Sequence, residues 1–233
     1  VPAEKVDKCW IGNFCGELFN NQGHLGAALI GANPGLNHKP SMRVEGACAS
    51  GGLAFACALD SIRGGSANVT LVAGVEVQTT VSARAGGDYL ARASHYKRQR
   101  ELDDFTFPAL FAKRIKECYA RKGWTPNDLA LCSAKAYGNA NLNPNAHMQA
   151  VKMTVEMASE ASDKNPAFLS NEELKPYLKI SDCSQVSDGG AALILVSEEG
   201  LRELGIAESA CVEVSGFCTA TGNLYEDGDL TQL

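Results

Sequence analysis

Apolar residues come in short runs punctuated by turn formers, and the period of the pattern changes along the chain. Residues 6–14 are short and apolar enough for a strand. Residues 24–30 read as a helix ended by Asn33-Pro34-Gly35, and residues 41–44 as a short strand. Residues 50–63 form an almost wholly apolar stretch of helical length stopped by Gly64-Gly65, and a helix apolar on all sides is expected to be buried. Residues 69–77 (Val-Thr-Leu-Val-Ala-Gly-Val-Glu-Val) have the unbroken hydrophobicity of a strand covered on both faces. Strands alternating with helices in this way predict an α/β core.

After Thr79 the texture changes. Residues 84–104 are polar and carry Arg92, His95, Lys97, Arg98 and Arg100. An amphipathic helix is expected over 108–121, with Leu110, Phe111, Ile115, Cys118 and Tyr119 on one side and Gly123 past its end. Thr125-Pro126-Asn127-Asp128 is a helix start, with Thr as N-cap, Pro at N1 and an acid at N3. A polar loop over 139–145 should precede a helix with Met148, Val151, Val155 and Ala158 on one stripe. Ser170-Asn171-Glu172-Glu173 reads as a further helix start of the capping-box kind. Residues 80–180 therefore look like a mostly helical insertion. The α/β texture then resumes: a turn at Asp188-Gly189-Gly190, a core strand over 191–196, a helix over 197–204 and a strand over 211–217.

The chain has 233 residues, 45% apolar and 21% charged, the balance of an ordinary globular protein. No apolar run is long enough for a membrane span, so an integral membrane protein is not expected. A net charge of -6 argues against a nucleic-acid partner, which needs a basic surface, yet leaves room for a local basic pocket. Nine cysteines are present, with no CxxC and no Cys/His spacing of a zinc site, so no metal is expected. Most read as buried free thiols. His24, His38, His95 and His147 read as structural or surface residues. The absence of an initiator Met and of a closing element gives the ends the look of a piece of a longer chain.

Cys48 stands apart. It lies in Val44-Glu45-Gly46-Ala47-Cys48-Ala49-Ser50-Gly51-Gly52, between an extended stretch and the apolar helix. Free backbone N–H groups and the positive end of the helix dipole at such a place favour a thiolate. The small neighbours let an acyl group approach the backbone. Thioester chemistry is the reading that follows.

Three segments together resemble the thiolase superfamily. Cys48-Ala49-Ser50 with Gly51-Gly52 is similar to its Cys-x-Ser nucleophile motif. Leu71-Val72-Ala73-Gly74-Val75-Glu76 resembles the strand and Gly-x-Glu turn that follow. Ser187-Asp188-Gly189-Gly190-Ala191-Ala192-Leu193-Ile194-Leu195 resembles the strand by which the chain returns from the loop domain. Order and separation agree. The stretch from Lys135 to Gln149, with Asn-Pro-Asn-Ala at 143–146, is similar to the sterol-carrier-protein branch, although Lys135-Ala136-Tyr137 stands where that branch has Lys-Asn-His.

The resemblance implies an α/β fold in αβαβα layers with an inserted helical loop domain. Residues 1–79 would be part of the first half, 80–180 the loop domain, 181–208 the return to the first half, and 209–233 the start of the second half. It implies a 3-oxoacyl-CoA thiolase that works through an acyl-Cys48 intermediate, with coenzyme A as co-substrate and no permanently bound cofactor. It also implies a loop domain that binds CoA, for which Lys97, Arg98, Arg100 and Ser184 are the candidates. A homodimer or dimer of dimers, in a mitochondrion or peroxisome-like organelle, completes the expectation. The family's second-half motifs, Gly-His-Pro and Cys-x-Gly, do not occur in these residues. The other reading is a thiolase-like protein that binds acyl-CoA or lipid without completing the reaction. A ketosynthase of the same superfamily fits the sterol-carrier-type segment less well.

Overall fold

The computed structural model describes residues 1–226 and 228–232. The chain begins with β1 (Lys8–Gly12), α1 (Gly16–Asn20), α2 (Leu25–Ile30), β2 (Ser41–Val44), α3 (Ser50–Arg63) and β3 (Val69–Glu76). Then come α4 (Ala83–Leu90), α5 (Tyr96–Gln99), α6 (Thr106–Lys122), α7 (Pro126–Leu142) and α8 (Val155–Ser159). It ends with β4 (Gly189–Val196) and α9 (Glu198–Leu204). Two compact units result, one of Val1–Thr80 with Asp188–Thr221, the other of Val81–Ser187 with Gly222–Leu233.

The first unit is built on a mixed sheet in the order β2-β1-β3-β4. β1 runs parallel to both β2 and β3, from Lys8↔Thr70 to Gly12↔Gly74 on the β3 side. β4 runs antiparallel to β3, from Val69↔Val196 to Glu76↔Gly189. Parallel strands need a crossover, and α3 supplies the one that carries the chain from β2 past β1 to β3. It buries Ala54 and Ala58 against Val72 of β3. Small residues on that face let the helix axis lie close to the sheet. Its other face is less enclosed than an all-round apolar composition predicts: Phe55, Ala56 and Cys57 are only partly buried, with the Phe217 ring 5.2 Å from that of Phe55. A second cluster, Val6, Cys9, Leu36 and Val69, closes the start of the sheet.

In the second unit, α6 places Ala109, Ala112 and Ile115 against Leu169, Leu174 and Leu178. It ends at Gly123 in the left-handed conformation (φ 70°) that glycine adopts without a Cβ penalty. α7 starts as the sequence requires, with the Thr125 N–H donating to Asp128 Oδ2 at 2.8 Å.

Several expected elements take another form. α7 runs through the expected polar loop to Leu142. The Met148–Ala158 stripe is helical only over Val155–Ser159. Before that, Asn141 Nδ2 donates to the carbonyls of Gln149 (2.7 Å) and Val151 (2.8 Å), which commits residues 143–151 to successive turns. Ser170 does not start an α-helix. The Asp103 carboxylate takes the N–H groups of Ser170 and Asn171 at 2.8 Å, and only a short 3-10 turn, Lys175–Tyr177, follows. Gly189 and Gly190 are the first residues of β4 rather than a turn, because β3 is long enough to pair with them. β4 itself is exposed along most of its length, not a core strand in these residues. Residues 211–217 form no strand. An extended segment becomes one only beside a partner, and the segment has none among the described residues.

Candidate active site

Cys48 is exposed on a single 3-10 turn, Ala47–Ala49, that runs directly into α3. The turn is held from several sides. Ala47 has φ 49°, a left-handed conformation that costs a non-glycine residue about 1–2 kcal/mol and persists only where its surroundings impose it. Here Glu45 Oε1 accepts from the Ala47 N–H at 2.5 Å. The buried Ser50 hydroxyl donates to the Ala47 carbonyl at 2.6 Å and accepts from the Gly46 N–H at 3.0 Å. The Ala49 N–H closes the turn onto the Gly46 carbonyl at 3.0 Å. α3 is 14 residues long and no side chain caps it, since Ala49 holds the N-cap position. A Cβ placed on Gly51 or Gly52 would meet nothing within 4 Å, so the first turn of α3 lies open. The nucleophile candidate thus precedes the helix by two residues rather than opening it.

Beneath the turn, the ends of β1, β2 and β3 are laced together. Asn13 is buried; its Nδ2 donates to the Val75 carbonyl at 2.7 Å and its Oδ1 accepts from Gly16 at 3.0 Å. Arg43 of β2 donates through Nε to the Asn13 carbonyl at 3.0 Å, through Nη2 to the Phe14 carbonyl, and pairs with Glu17. Glu76 accepts the Phe14 N–H. Asp188 accepts the Gln78 and Thr79 N–H groups at 2.7 and 3.0 Å, fastening the end of β3 to the start of β4. Of these residues only Glu76 and Asp188 belonged to a motif. Asn13 and Arg43 act through partners that are distant in sequence, and Ser50, which the Cys-x-Ser motif did contain, acts through a turn geometry that the motif does not announce.

The remaining site candidates lie in the second unit. Ser184 is exposed and follows an anchored stretch. The preceding Cys183 packs against the α6 core, where burial pushes its thiol up to about 11. Asp182 is buried in an ion pair with Lys179 at 2.9 Å. Lys97 and Arg98 are exposed on α5. Arg100 is already engaged: its Nε meets Asp88 Oδ1 at 2.6 Å and its Nη1 donates to the Asp103 carbonyl at 3.1 Å. The Arg100 hydrogen bond, with help from Tyr96 and Arg92, lowers the Asp88 carboxyl to about 2. Arg100 is thus held by partners of its own unit, whereas Lys97 is exposed and Arg98, also exposed, donates one N–H from Nη1 to the Tyr225 carbonyl at 3.0 Å. Among the described residues no cluster of His, Cys, Asp and Glu fits a metal ion, and no helix is long and apolar enough to cross a membrane.

Residues 1–199 match the family model described as thiolase, N-terminal domain. An acetyl-CoA acetyltransferase of Methanothermobacter thermautotrophicus is 31% identical over 233 residues, which cover 100% of this chain and 57% of that protein. One from Methanocaldococcus jannaschii is 34% identical over 203 residues, 87% of this chain and 48% of its own. The chain therefore spans about half the length of these curated relatives. Among solved structures, the Acat5 thiolase of Ascaris suum in complex with coenzyme A superposes with a TM-score of 0.62 at 15% identity, over 89% of this chain and 58% of that one. A monomeric SCP2-thiolase-like protein of Mycobacterium smegmatis gives 0.58 at 19% identity, over 88% and 39%. At those identities the likeness concerns the fold.

Proposed function

The chain belongs to the thiolase family, and on that premise we propose that it carries the nucleophile of an acyltransferase acting on 3-oxoacyl-CoA. The observation that carries this reading is the placement of Cys48: an exposed thiol on a turn fixed by Glu45 and Ser50, leading into an open, uncapped helix start. In the degradative direction the Cys48 thiolate adds to the 3-keto carbon. The bond between C2 and C3 breaks, its electron pair leaves with the acetyl-CoA carbon, and that carbon takes a proton. The shortened acyl group stays on Cys48 as a thioester. The thiol of a second coenzyme A then takes the acyl group and the Cys48 thiol is restored. Condensation is the reverse sequence, starting from an acetyl group on Cys48. Backbone N–H groups at the start of α3 are the donors this chain offers to the thioester oxygen, a contribution that is typically about 2.7–4 kcal/mol per donor in other enzymes.

Coenzyme A and acyl-CoA are the ligands of this proposal, with Ser184, Lys97 and Arg98 in contact with them. A homodimer or dimer of dimers is its assembly, for which the outer strands β2 and β4 leave hydrogen-bonding edges available. A monomeric mass by light scattering at micromolar concentration would overturn that part. The chemistry is tested by incubation with acetoacetyl-CoA followed by intact-mass and peptide mapping. An acetyl adduct on Cys48 of the intact protein, absent from Cys48→Ala, is expected; an intact, folded protein with no adduct refutes the reading.

A further inference from the structure

Among the described residues, four that are not glycine have a positive φ: Asn21, His24, His38 and Ala47. Asn and His enter the left-handed region several times more readily than other side chains, so the first three follow residue preference. Ala47 does not. An alanine there is disfavoured roughly five- to thirtyfold. It stands immediately before Cys48, at the start of the 3-10 turn, so its φ sets the direction in which the chain delivers the thiol.

The bonds that hold Ala47 come mostly from one side chain. Its carbonyl takes the Ser50 N–H and, at 2.6 Å, the Ser50 hydroxyl. The same hydroxyl oxygen accepts the Gly46 N–H at 3.0 Å. Ser50 is 4% exposed, so water does not compete for these bonds. Its own place is fixed from below, where a Cβ on Gly12 of β1 would come 2.6 Å from the Ser50 carbonyl oxygen. A hydrogen bond of this kind is worth roughly fivefold. The two bonds of the hydroxyl together match the bias against Ala47. The third bond, from the Ala47 N–H to the exposed Glu45 carboxylate, does not match it alone. The Ser50 hydroxyl has one proton, and it lies on the Ala47 carbonyl, so none is left for a substrate or for the thiol.

We infer that Ser50 is a positioning residue for Cys48: its hydroxyl holds Ala47 in the left-handed conformation and thereby fixes where the thiol meets the acyl carbon. This role rests on the reading of Cys48 as the nucleophile. The spacing Ala47-Cys48-Ala49-Ser50 follows from the geometry. A hydroxyl on the first residue of α3 reaches back to the carbonyl three residues before it and to the N–H four residues before it. Alanine at 47 makes the turn conditional on this clamp, whereas glycine would adopt the same φ unaided and many others besides.

Steady-state kinetics of the intact protein with acetoacetyl-CoA and coenzyme A test the role, together with hydrogen–deuterium exchange over residues 44–50. Ser50→Ala should lower kcat about tenfold with KM unchanged, because a displaced nucleophile weakens bond-making and a hydroxyl committed to the turn offers the substrate nothing. Exchange at Ala49, whose N–H closes the turn onto Gly46, should quicken. Adding Ala47→Gly removes the bias and should recover most of the loss in both readouts. Ala47→Val, which keeps Ser50 and deepens the bias, should lower kcat as Ser50→Ala does. Ser61→Ala is the control: Ser61 is 7% exposed on the same helix and donates to the Cys57 carbonyl at 2.8 Å, and its loss should leave kcat unchanged. Circular dichroism checks that each variant is folded. Parental kcat and exchange in Ser50→Ala, parental kcat in Ala47→Val, a loss that Ala47→Gly does not recover, or an equal loss in Ser61→Ala would overturn the inference. A parent with no turnover refutes the acyl-transfer reading alone. The exchange rates of Ser50→Ala and of its double variant with Ala47→Gly then decide the positioning role.

Discussion

Gly12→Ala places one methyl group where β1 supports the start of α3. The added carbon would stand 2.6 Å from the Ser50 carbonyl oxygen, 2.7 Å from the Gly51 nitrogen and 2.7 Å from the Ser50 carbonyl carbon. All three are backbone atoms, so no side chain can swing aside. Ordinary contact begins near 3.4 Å, so about 0.8 Å must be found by moving the helix start. β1 is hydrogen-bonded on both edges, to β2 and β3, and is the less able to yield. Overpacking of this kind costs about 1–3 kcal/mol. At roughly 2–4 °C per kcal/mol for a chain of this size, a loss near 2 kcal/mol lowers Tm by about 4–8 °C. The displacement also falls on Ser50, whose hydroxyl holds Gly46 and Ala47, so the rate of Cys48 alkylation by iodoacetamide should change. Gly51→Ala is the control: its methyl group meets nothing within 4 Å, and alanine gains up to about 1 kcal/mol of helix propensity. Gly12→Ala with parental Tm and parental alkylation rate would refute the claim that close backbone approach sets this turn.

Lys179→Met leaves the Asp182 carboxylate, 2% exposed, without its cation and should cost about 3–5 kcal/mol in urea unfolding, with most of the loss recovered in Lys179→Met/Asp182→Asn. Thr70 is fully buried and its hydroxyl has no hydrogen-bond partner, so Thr70→Val should stabilise the first unit by about 1 kcal/mol, read as a higher urea midpoint. Asp88 has its folded pKa lowered to about 2, chiefly by Arg100, from an unfolded value of about 3.9. Its contribution is therefore complete above pH 4 and lost as pH falls toward 2, and Asp88→Asn should flatten that part of the stability profile.

Local signals carried much of the fold into the sequence. Unbroken β-branched and apolar residues marked β3, Gly64 marked the end of α3, and Thr125 to Asp128 marked the start of α7, because each of these is decided within a few residues. The failures came from partners far along the chain. Asp103 takes the N–H groups that a helix starting at Ser170 would have presented to its own cap. Asn141 captures carbonyls eight and ten residues ahead, and the stripe at Met148 loses its helix. Gly189 and Gly190 obey the strand opposite them rather than their own turn preference. At the site, the placement of Cys48 just before a helix was legible from its small-residue setting. The strain at Ala47 and the lacing by Asn13 and Arg43 were not, since they exist only once three strands are side by side.

β3 and β4 meet at Glu76↔Gly189, so the 112 residues between them leave and re-enter through a single cross-strand pair, with Asp188 clasping Gln78 and Thr79 at the gate. To the sheet, that whole insertion is the equivalent of a hairpin loop. Its length barely burdens the pairing, because closure entropy grows only with the logarithm of loop size. The insertion can thus be lengthened, shortened or exchanged with little effect on strand register or on the turn that bears Cys48. The architecture lets the inserted part, the one proposed to meet coenzyme A, diversify while the part that presents the thiol stays constant.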